Sequence, residues 1–375
     1  MKKKKLLIAF LVVVLCYVLW LGFQLLHFEC YSQNQTDKNR LEIKGAYHIH
    51  TLFSDGKKNP HEIAKMASRA SLDFIILSDH GEPNYESMNA AGWKENVLVL
   101  SGSELSVSRG HLVALGFKTP TVPFSKNAEQ AVYQIKTQDG FSVIAHPYSK
   151  VSWSWGEFID YTGIEIINAN TMFTTETLQL IPYFPFFLIK PDIVFIKMLC
   201  RPERNLRKWD ELNRIHPIFG FFSIDAHLFY KSLLPLLNLH VLLKTPLSGQ
   251  FEEASQQVYE SLKEGRFYNA VDAAAQADGF RFWMEKGNQR LEMGEETDLD
   301  SQIMGHVHAA FPFATEILLL HNGKLIHSST QDDVTYKITK PGFYRVEVYL
   351  KERSPLHRDI PWIVSNPIFL TEKHP

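Results

Sequence analysis

The sequence predicts an α/β fold, a barrel or an open parallel sheet, with a small antiparallel β-sandwich after it and one membrane-spanning helix before it. Three observations carry this expectation. Short apolar runs alternate with polar or helical segments through the first two thirds of the chain, as strands buried on both faces do. Beyond Phe280 the pattern becomes alternating and turn-rich, as in Phe343 to Leu350 with Tyr344, Val346, Val348 and Leu350 in register. At the start, Leu6 to Leu26 is apolar apart from Gln24, about the ~20 residues that span a hydrocarbon core.

Taken in order, residues 1–5 form a basic tail and 6–26 an uncleaved signal anchor, because Leu25-Leu26-His27-Phe28-Glu29-Cys30 offers no small-x-small cleavage site. Four lysines before the helix and none just after it put the N-terminus in the cytoplasm and the folded body outside, periplasmic or extracellular. Residues 27–40 read as a linker. The domain 41–250 follows, with strands at Glu42 to Tyr47, Asp73 to Leu77, Val97 to Leu100, His111 to Phe117, Phe141 to Ala145, Gly163 to Asn168 and Ile218 to Ile224. Asn59 as cap with Pro60 behind it starts a helix to Ala70, and Asn127 to Thr137 forms another. An insert at 171–213, whose apolar stretch is broken by Pro182, Pro185 and Pro191, reads as a helical excursion packed on the body rather than a membrane-touching flap. A helix from Phe251 to Glu264 stops at Gly265 within a connecting segment, 251–279. The sandwich, 280–375, has strands at Ile317 to Leu320 and Val334 to Ile338, with the turn His321-Asn322-Gly323-Lys324 between them.

With 375 residues, 45% hydrophobic and 13% aromatic, the chain can bury one large core and a smaller one. Its formal charge of −2 falls to −6 without Lys2–Lys5, so attraction to a phosphate backbone is not its source of affinity, and no stable nucleic-acid complex is expected. Three cysteines make neither a disulfide framework nor a cysteine-based zinc site. No feature of the sequence names a protein partner.

Chemistry-bearing residues gather at the ends of the apolar runs. His48-Ile49-His50 closes the first strand, and two residues apart on an extended strand both imidazoles face one side. Ser54-Asp55-Gly56 turns a carboxylate back beside them. Ser78-Asp79-His80, Ser103-Glu104-Leu105, Gly110-His111, Ile144-Ala145-His146-Pro147 and Ile224-Asp225-Ala226-His227 repeat the arrangement. Six of sixteen histidines thus sit at strand ends beside a turn or carboxylate, too many coincidences for a set of satisfied core residues. His306-Val307-His308 lacks such company and reads as ordinary strand or loop histidines.

Taken together, these motifs resemble the metal-binding signature of the PHP (polymerase and histidinol phosphatase) family over about Lys44 to Tyr230. The resemblance implies a distorted (β/α)7 barrel holding three divalent metal ions. One would sit on His48, His50, Glu104 and Asp225, a second on Glu104, His111 and His146, and a third on Asp55, His80 and His227, with Glu104 as the bridge. Stretches such as Gly265-Arg266-Phe267-Tyr268 and Pro361-Trp362-Ile363-Val364-Ser365-Asn366-Pro367 resemble the appended β-domain of secreted or membrane-attached relatives.

Physical chemistry points the same way. Mixed imidazole and carboxylate donors suit Mn²⁺, Fe²⁺ or Zn²⁺, and a shared carboxylate holds two ions close enough to acidify a bridging water. The expected activity is hydrolysis of a small phosphomonoester or phosphodiester by that hydroxide, with Glu104, Asp225 and Arg109 as the catalytic set. Arg109 enters as a phosphate contact because it lies between Glu104 and His111; Arg201 and Arg204 are weaker choices, and Asp79 is either a support for a ligand or a turn residue. The alternatives are an amidohydrolase-like hydrolase acting on a non-phosphate substrate, and a non-catalytic metal-binding surface protein.

Overall fold

The computed structural model describes residues 2–30, 41–120, 122–150, 152–154, 156–175, 183, 185–299, 302–351 and 356–372. Most of the expected linker, 31–40, and part of the expected insert, 176–182 and 184, lie outside the described residues.

A helix, α1 (Lys2–Leu26), opens the chain. Among the described residues no helix is long and apolar enough to cross a membrane. That corrects the expected anchor, and with it the single-pass, extracytoplasmic placement. Part of the 25-residue length is spent on polar residues: the first turn is Lys2–Lys5, and Gln24 interrupts the last.

The body is built from β1 (Glu42–Ile49), β2 (Phe74–Leu77), β3 (Gly92–Lys94), β4 (Val97–Ser101), β5 (Ser103–Val107), β6 (Gly110–Leu115), β7 (Phe141–Ala145), β8 (Gly163–Asn168), β9 (Phe219–Ser223), β10 (Asn238–Leu242) and β11 (Phe267–Ala270). β12 (Arg281–Lys286), β13 (Gln289–Glu292), β14 (Glu296–Asp298), β15 (Ile303–His308), β16 (Thr315–His321), β17 (Lys324–Ser329), β18 (Asp333–Ile338), β19 (Gly342–Leu350), β20 (Ile363–Ser365) and β21 (Ile368–Thr371) complete it.

One sheet has the order β5-β6-β7-β8-β9. Another runs β3-β4-β2-β1-β10-β11 and continues through β20 and β19 to β21 and β14, with β16 and β17 joined to β19. A third is β13-β12-β15-β18. Single parallel bridges, Ile49 to Ala226 and His80 to Glu104, bring the first two sheets together at the motif-bearing ends of their strands.

These sheets correct the expected seven-stranded parallel barrel with a separate sandwich. β1 pairs antiparallel with β10, and β6 pairs antiparallel with both β5 and β7. β11 lies in the stretch read as a connection, yet it pairs with both β10 and β20, so one sheet passes from the first region into the second. Apolar runs report that a strand is buried and not which strand lies beside it, and Phe-Tyr-Asn-Ala is too short to show alternation.

Local rules account for several joints. Asn59 accepts from the Glu62 amide at 2.9 Å and Glu62 returns to the Asn59 amide, a capping box of about 1 kcal/mol that fixes the helix Pro60–Arg69. Gly102 lets the chain step from β4 to β5, since a Cβ there would meet the Ala114 carbonyl oxygen at 2.3 Å. In the described part of 171–213, the helices Pro191–Met198 and Glu203–Leu212 bury Ile193, Phe195, Leu206 and Trp209 against the body. The Trp209 indole donates to the Ile218 carbonyl at 2.8 Å.

Candidate metal centre

β1 does not run straight into its histidines. Its register against β2 shifts between Tyr47 and Ile49, and His48 adopts φ 68°. His146 and Asp225 also hold positive φ, 25° and 47°, in a region that costs a non-glycine residue about 1–3 kcal/mol. Such strain collects at sites where the fold sets a side chain's direction against local preference.

The strand ends then converge. His48 Nε2 lies 3.1 Å from His50 Nε2, and each is 3.2 Å from Glu104 Oε2. Asp225 Oδ1 is 3.4 Å from His50 Nε2 and 3.6 Å from His48 Nε2. The other Glu104 oxygen, Oε1, meets His111 Nδ1 and His146 Nε2 at 2.8 Å each. Asp55 Oδ2 faces His227 Nε2 at 3.2 Å and His80 Nε2 at 3.8 Å. All nine residues singled out as metal ligands come together, in overlapping groups whose donor atoms lie within 4.8 Å of one another. His50 also joins the group of Asp55, His80 and His227, stacking on the His227 ring at 4.1 Å.

Four residues outside that set hold it in shape. Glu165, buried in the middle of β8, accepts from His48 Nδ1 at 2.5 Å, from the His146 amide at 2.8 Å and from the Asn168 side chain at 2.8 Å. Donating its Nδ1 proton to Glu165 turns the His48 ring so that Nε2 faces the cluster. Asn168 and Asn170 each donate to Asp225 Oδ2 at 3.2 Å. A carboxylate in the apolar run Gly-Ile-Glu-Ile-Ile-Asn was the sequence signal for Glu165. Asp79, buried, accepts from the Thr51 amide and hydroxyl, from Ser54 and from Ser87, and so pins the loop that carries Asp55. Gly56 closes this loop, where a Cβ would lie 2.3 Å from the His50 carbonyl oxygen.

Arg109 is exposed in the turn between β5 and β6 and does not line the cavity above the cluster. Arg201 binds Glu203, Glu347 and Tyr349, and Arg204 stacks on Tyr148 at 4.2 Å. The cation on the wall is Lys150, which sequence reading passed over. It shares a cavity of about 280 Å³ with Ser149, Asn170, Thr171 and Thr174 opposite the histidines. His306 and His308 lie on β15 beside Glu285 and Asp333 and join no metal-ligand group among the described residues.

The electrostatics are those of a cation site. Burial raises the carboxyl pKa of Glu104, but the imidazoles of His48, His111 and His146 outweigh it and hold the group well below the usual range. Burial likewise opposes, and the histidines reverse, the shift of Asp225, which ends below its ordinary value. Burial lowers His48, yet Glu165, Asp225 and Glu104 raise it well above an ordinary histidine. The field that would retain protons there is equally suited to divalent ions. Two nearly touching imidazole nitrogens aimed at one carboxylate oxygen, and a buried His80 Nδ1 that makes no hydrogen bond among the described residues yet lies 3.4 Å from that same Glu104 Oε2, fit metal coordination. This set of histidines and carboxylates beside an open cavity fits a metal-dependent hydrolase.

No model of a known protein family matches the chain. It is 28% identical over 142 residues to an uncharacterized protein of Methanocaldococcus jannaschii, a match covering 34% of this chain and 82% of that protein. Among solved structures it is similar to a two-domain protein of Bacteroides vulgatus containing a predicted PHP-like metal-dependent phosphoesterase. That similarity has a TM-score of 0.45 and 14% identity, covering 91% of this chain and 99% of the other. An amidohydrolase of Chromobacterium violaceum with bound sulfate and no metal is similar at TM-score 0.33 and 16% identity, covering 48% of this chain and 87% of the other. Scores and identities this low say nothing about chemistry.

Proposed function

We propose that this chain is a PHP-type, metal-dependent phosphoesterase that hydrolyses a small phosphomonoester or phosphodiester. The supporting observation is the convergence of His48 Nε2, His50 Nε2 and Glu104 Oε2 within 3.2 Å of one another beneath a cavity with a lysine on its wall. Three ions would be held by His48, His50, Glu104 and Asp225; by Glu104, His111 and His146; and by Asp55, His80 and His227. Bound there, divalent ions would supply an acidified water and neutralise phosphoryl oxygens.

The ligand charges favour a phosphate substrate. Ligating histidines are neutral, so Asp55, Glu104 and Asp225 are the only anions in the ligand set, and even two divalent ions would leave excess positive charge. A phosphate dianion matches that excess, and an uncharged amide does not. Lys150 offers a further cation to an anionic group. In the overall reaction a water oxygen bonds to phosphorus, the ester P–O bond breaks, and a water proton ends on the departing alcohol. Glu165 keeps the His48 ring oriented throughout.

The test is turnover of p-nitrophenyl phosphate and bis-p-nitrophenyl phosphate by the full chain reconstituted with Mn²⁺, Fe²⁺ or Zn²⁺. Chelator-sensitive hydrolysis of either ester is expected. A metal-loaded chain inert toward both and toward a panel of phosphoesters would overturn the reading.

A further inference from the structure

The loops that carry the metal-site residues also carry exposed apolar side chains. Leu52 follows His50 by two residues, and Leu228 and Phe229 directly follow His227. The two loops touch, with the Lys57 amide donating to the His227 carbonyl at 3.1 Å and Tyr230 donating to the His50 and His227 carbonyls. Phe229 packs edge-on against Phe187 at 5.0 Å and against Phe195 at 5.7 Å. Leu188 and Ile189 come next in the chain after Phe187. Leu52, Leu188, Ile189, Leu228 and Phe229 are exposed to between 45% (Phe229) and 92% (Leu188).

This apolar surface is joined to the cavity wall. Asn170, Thr171 and Thr174 line the cavity from the helix Ala169–Thr175, and Phe173 of that helix packs on Phe195 at 5.9 Å. One aromatic cluster thus supports the polar wall on one side and the apolar ridge on the other. Large exposed apolar groups elsewhere in the body, such as Tyr133 and Ile215, occur singly, as on most protein surfaces. A ridge continuous with a reaction cavity needs an occupant to offset its exposure.

The geometry points to an amphiphilic phosphoester as the substrate, its phosphoryl group in the cavity beside Lys150 and the alkyl or acyl chain of its alcohol along Leu52, Leu228, Phe229 and Leu188. This rests on the phosphoesterase reading and narrows it, because a small polar metabolite would leave the ridge without a role. Each methylene drawn out of water adds at most about fourfold to affinity, and partial burial of a chain of several carbons still leaves a preference of at least about tenfold.

The test compares kcat/KM for ethyl and octyl phosphate, below the aggregation concentration of the latter, in the metal-loaded full chain and in Leu52→Ser/Leu228→Ser. Competition by ethyl and octyl phosphonate serves as a second measure on the unmodified chain. Octyl phosphate is expected to be preferred at least about tenfold, octyl phosphonate to be the tighter inhibitor, and the octyl-to-ethyl ratio to fall toward one in the variant. Hydrolysis of both esters at similar kcat/KM, with equal inhibition, would overturn the amphiphile and leave the phosphoesterase standing. No hydrolysis of any phosphoester would overturn both.

Discussion

At its first residue β1 carries Glu42, and at its other end it carries His48 with His50 just beyond, so one strand links two buried networks of histidine and carboxylate. Around Glu42, His240 Nδ1 is 3.1 Å from the Glu42 carboxylate and its Nε2 is 3.0 Å from Asp272. Arg281 donates to Glu42 at 2.6 Å, Tyr268 at 2.5 Å, and Lys44 pairs with Asp278 at 3.3 Å. Around His48 the same residue types converge with no Lys or Arg contact recorded among the described residues. Residue type therefore does not separate a structural network from a metal centre. The Glu42 end, where Glu42, His240 and Asp278 also lie close enough to hold an ion, has protein counter-charge from Arg281 and Lys44, whereas on the proposed reading the His48 end would take its counter-charge from an ion.

The sharpest way to break this comparison is Glu104→Gln. Removing the carboxylate whose two oxygens face different groups should cut hydrolysis by at least about 10³-fold and release metal together with it. Normal turnover in that variant would sink the assignment. At the other end, His240→Ala should cost about 3 kcal/mol of stability in urea unfolding by leaving Glu42 and Asp272 buried without their partner, with kcat per folded molecule and metal content unaffected. Loss of metal from that variant would erase the distinction between the two networks.

Smaller effects sharpen it. Glu165→Gln should weaken metal affinity about 10- to 100-fold by loosening the His48 tautomer, measured as a competitive chelator titration. The Glu42 network should also show a pH signature in stability. Burial lowers His240, but Asp272 and Glu42 push it up to about 10, so its contribution is full below its unfolded value near 6.5 and is lost as pH rises through about 10. Burial raises Glu42, but His240 and Arg281 bring it down to about 2; its contribution is full above about 4.5 and is lost as pH falls through about 2. The stability gap between the unmodified chain and His240→Ala should therefore be widest near pH 4.5–6.5 and narrow toward pH 10. Arg109→Ala, at an exposed turn, should change kcat/KM by less than about threefold.

The convergence of the nine expected ligands was legible because most of them are tied to a strand end, and strand ends show in sequence as apolar runs meeting turns. That held for His80 after β2, His146 after β7, and Asp225 and His227 after β9. Arg109, chosen for its closeness in sequence to Glu104 and His111, lies exposed in the hairpin turn and does not line the cavity. Glu165 was missed because its one signal, a single acid in an apolar strand, belongs to no spaced motif. Sheet order was illegible for another reason. β1 pairs with β10, nearly two hundred residues on, and β11 with β20, and such partners are chosen by packing that no local window contains. At α1 composition read as a span, and the structure returned no helix meeting that standard among its described residues.

The central claim is that the two networks on β1 differ in what neutralises them, and metal content tests it most directly. The full chain, its Glu104→Gln variant and its His240→Ala variant would be reconstituted with Mn²⁺ or Zn²⁺, desalted and analysed by plasma mass spectrometry. Two or three ions per chain are expected in the unmodified protein and in His240→Ala, with a clear loss in Glu104→Gln. A metal-free unmodified chain, or a Glu104→Gln chain that keeps its full complement, would contradict the claim.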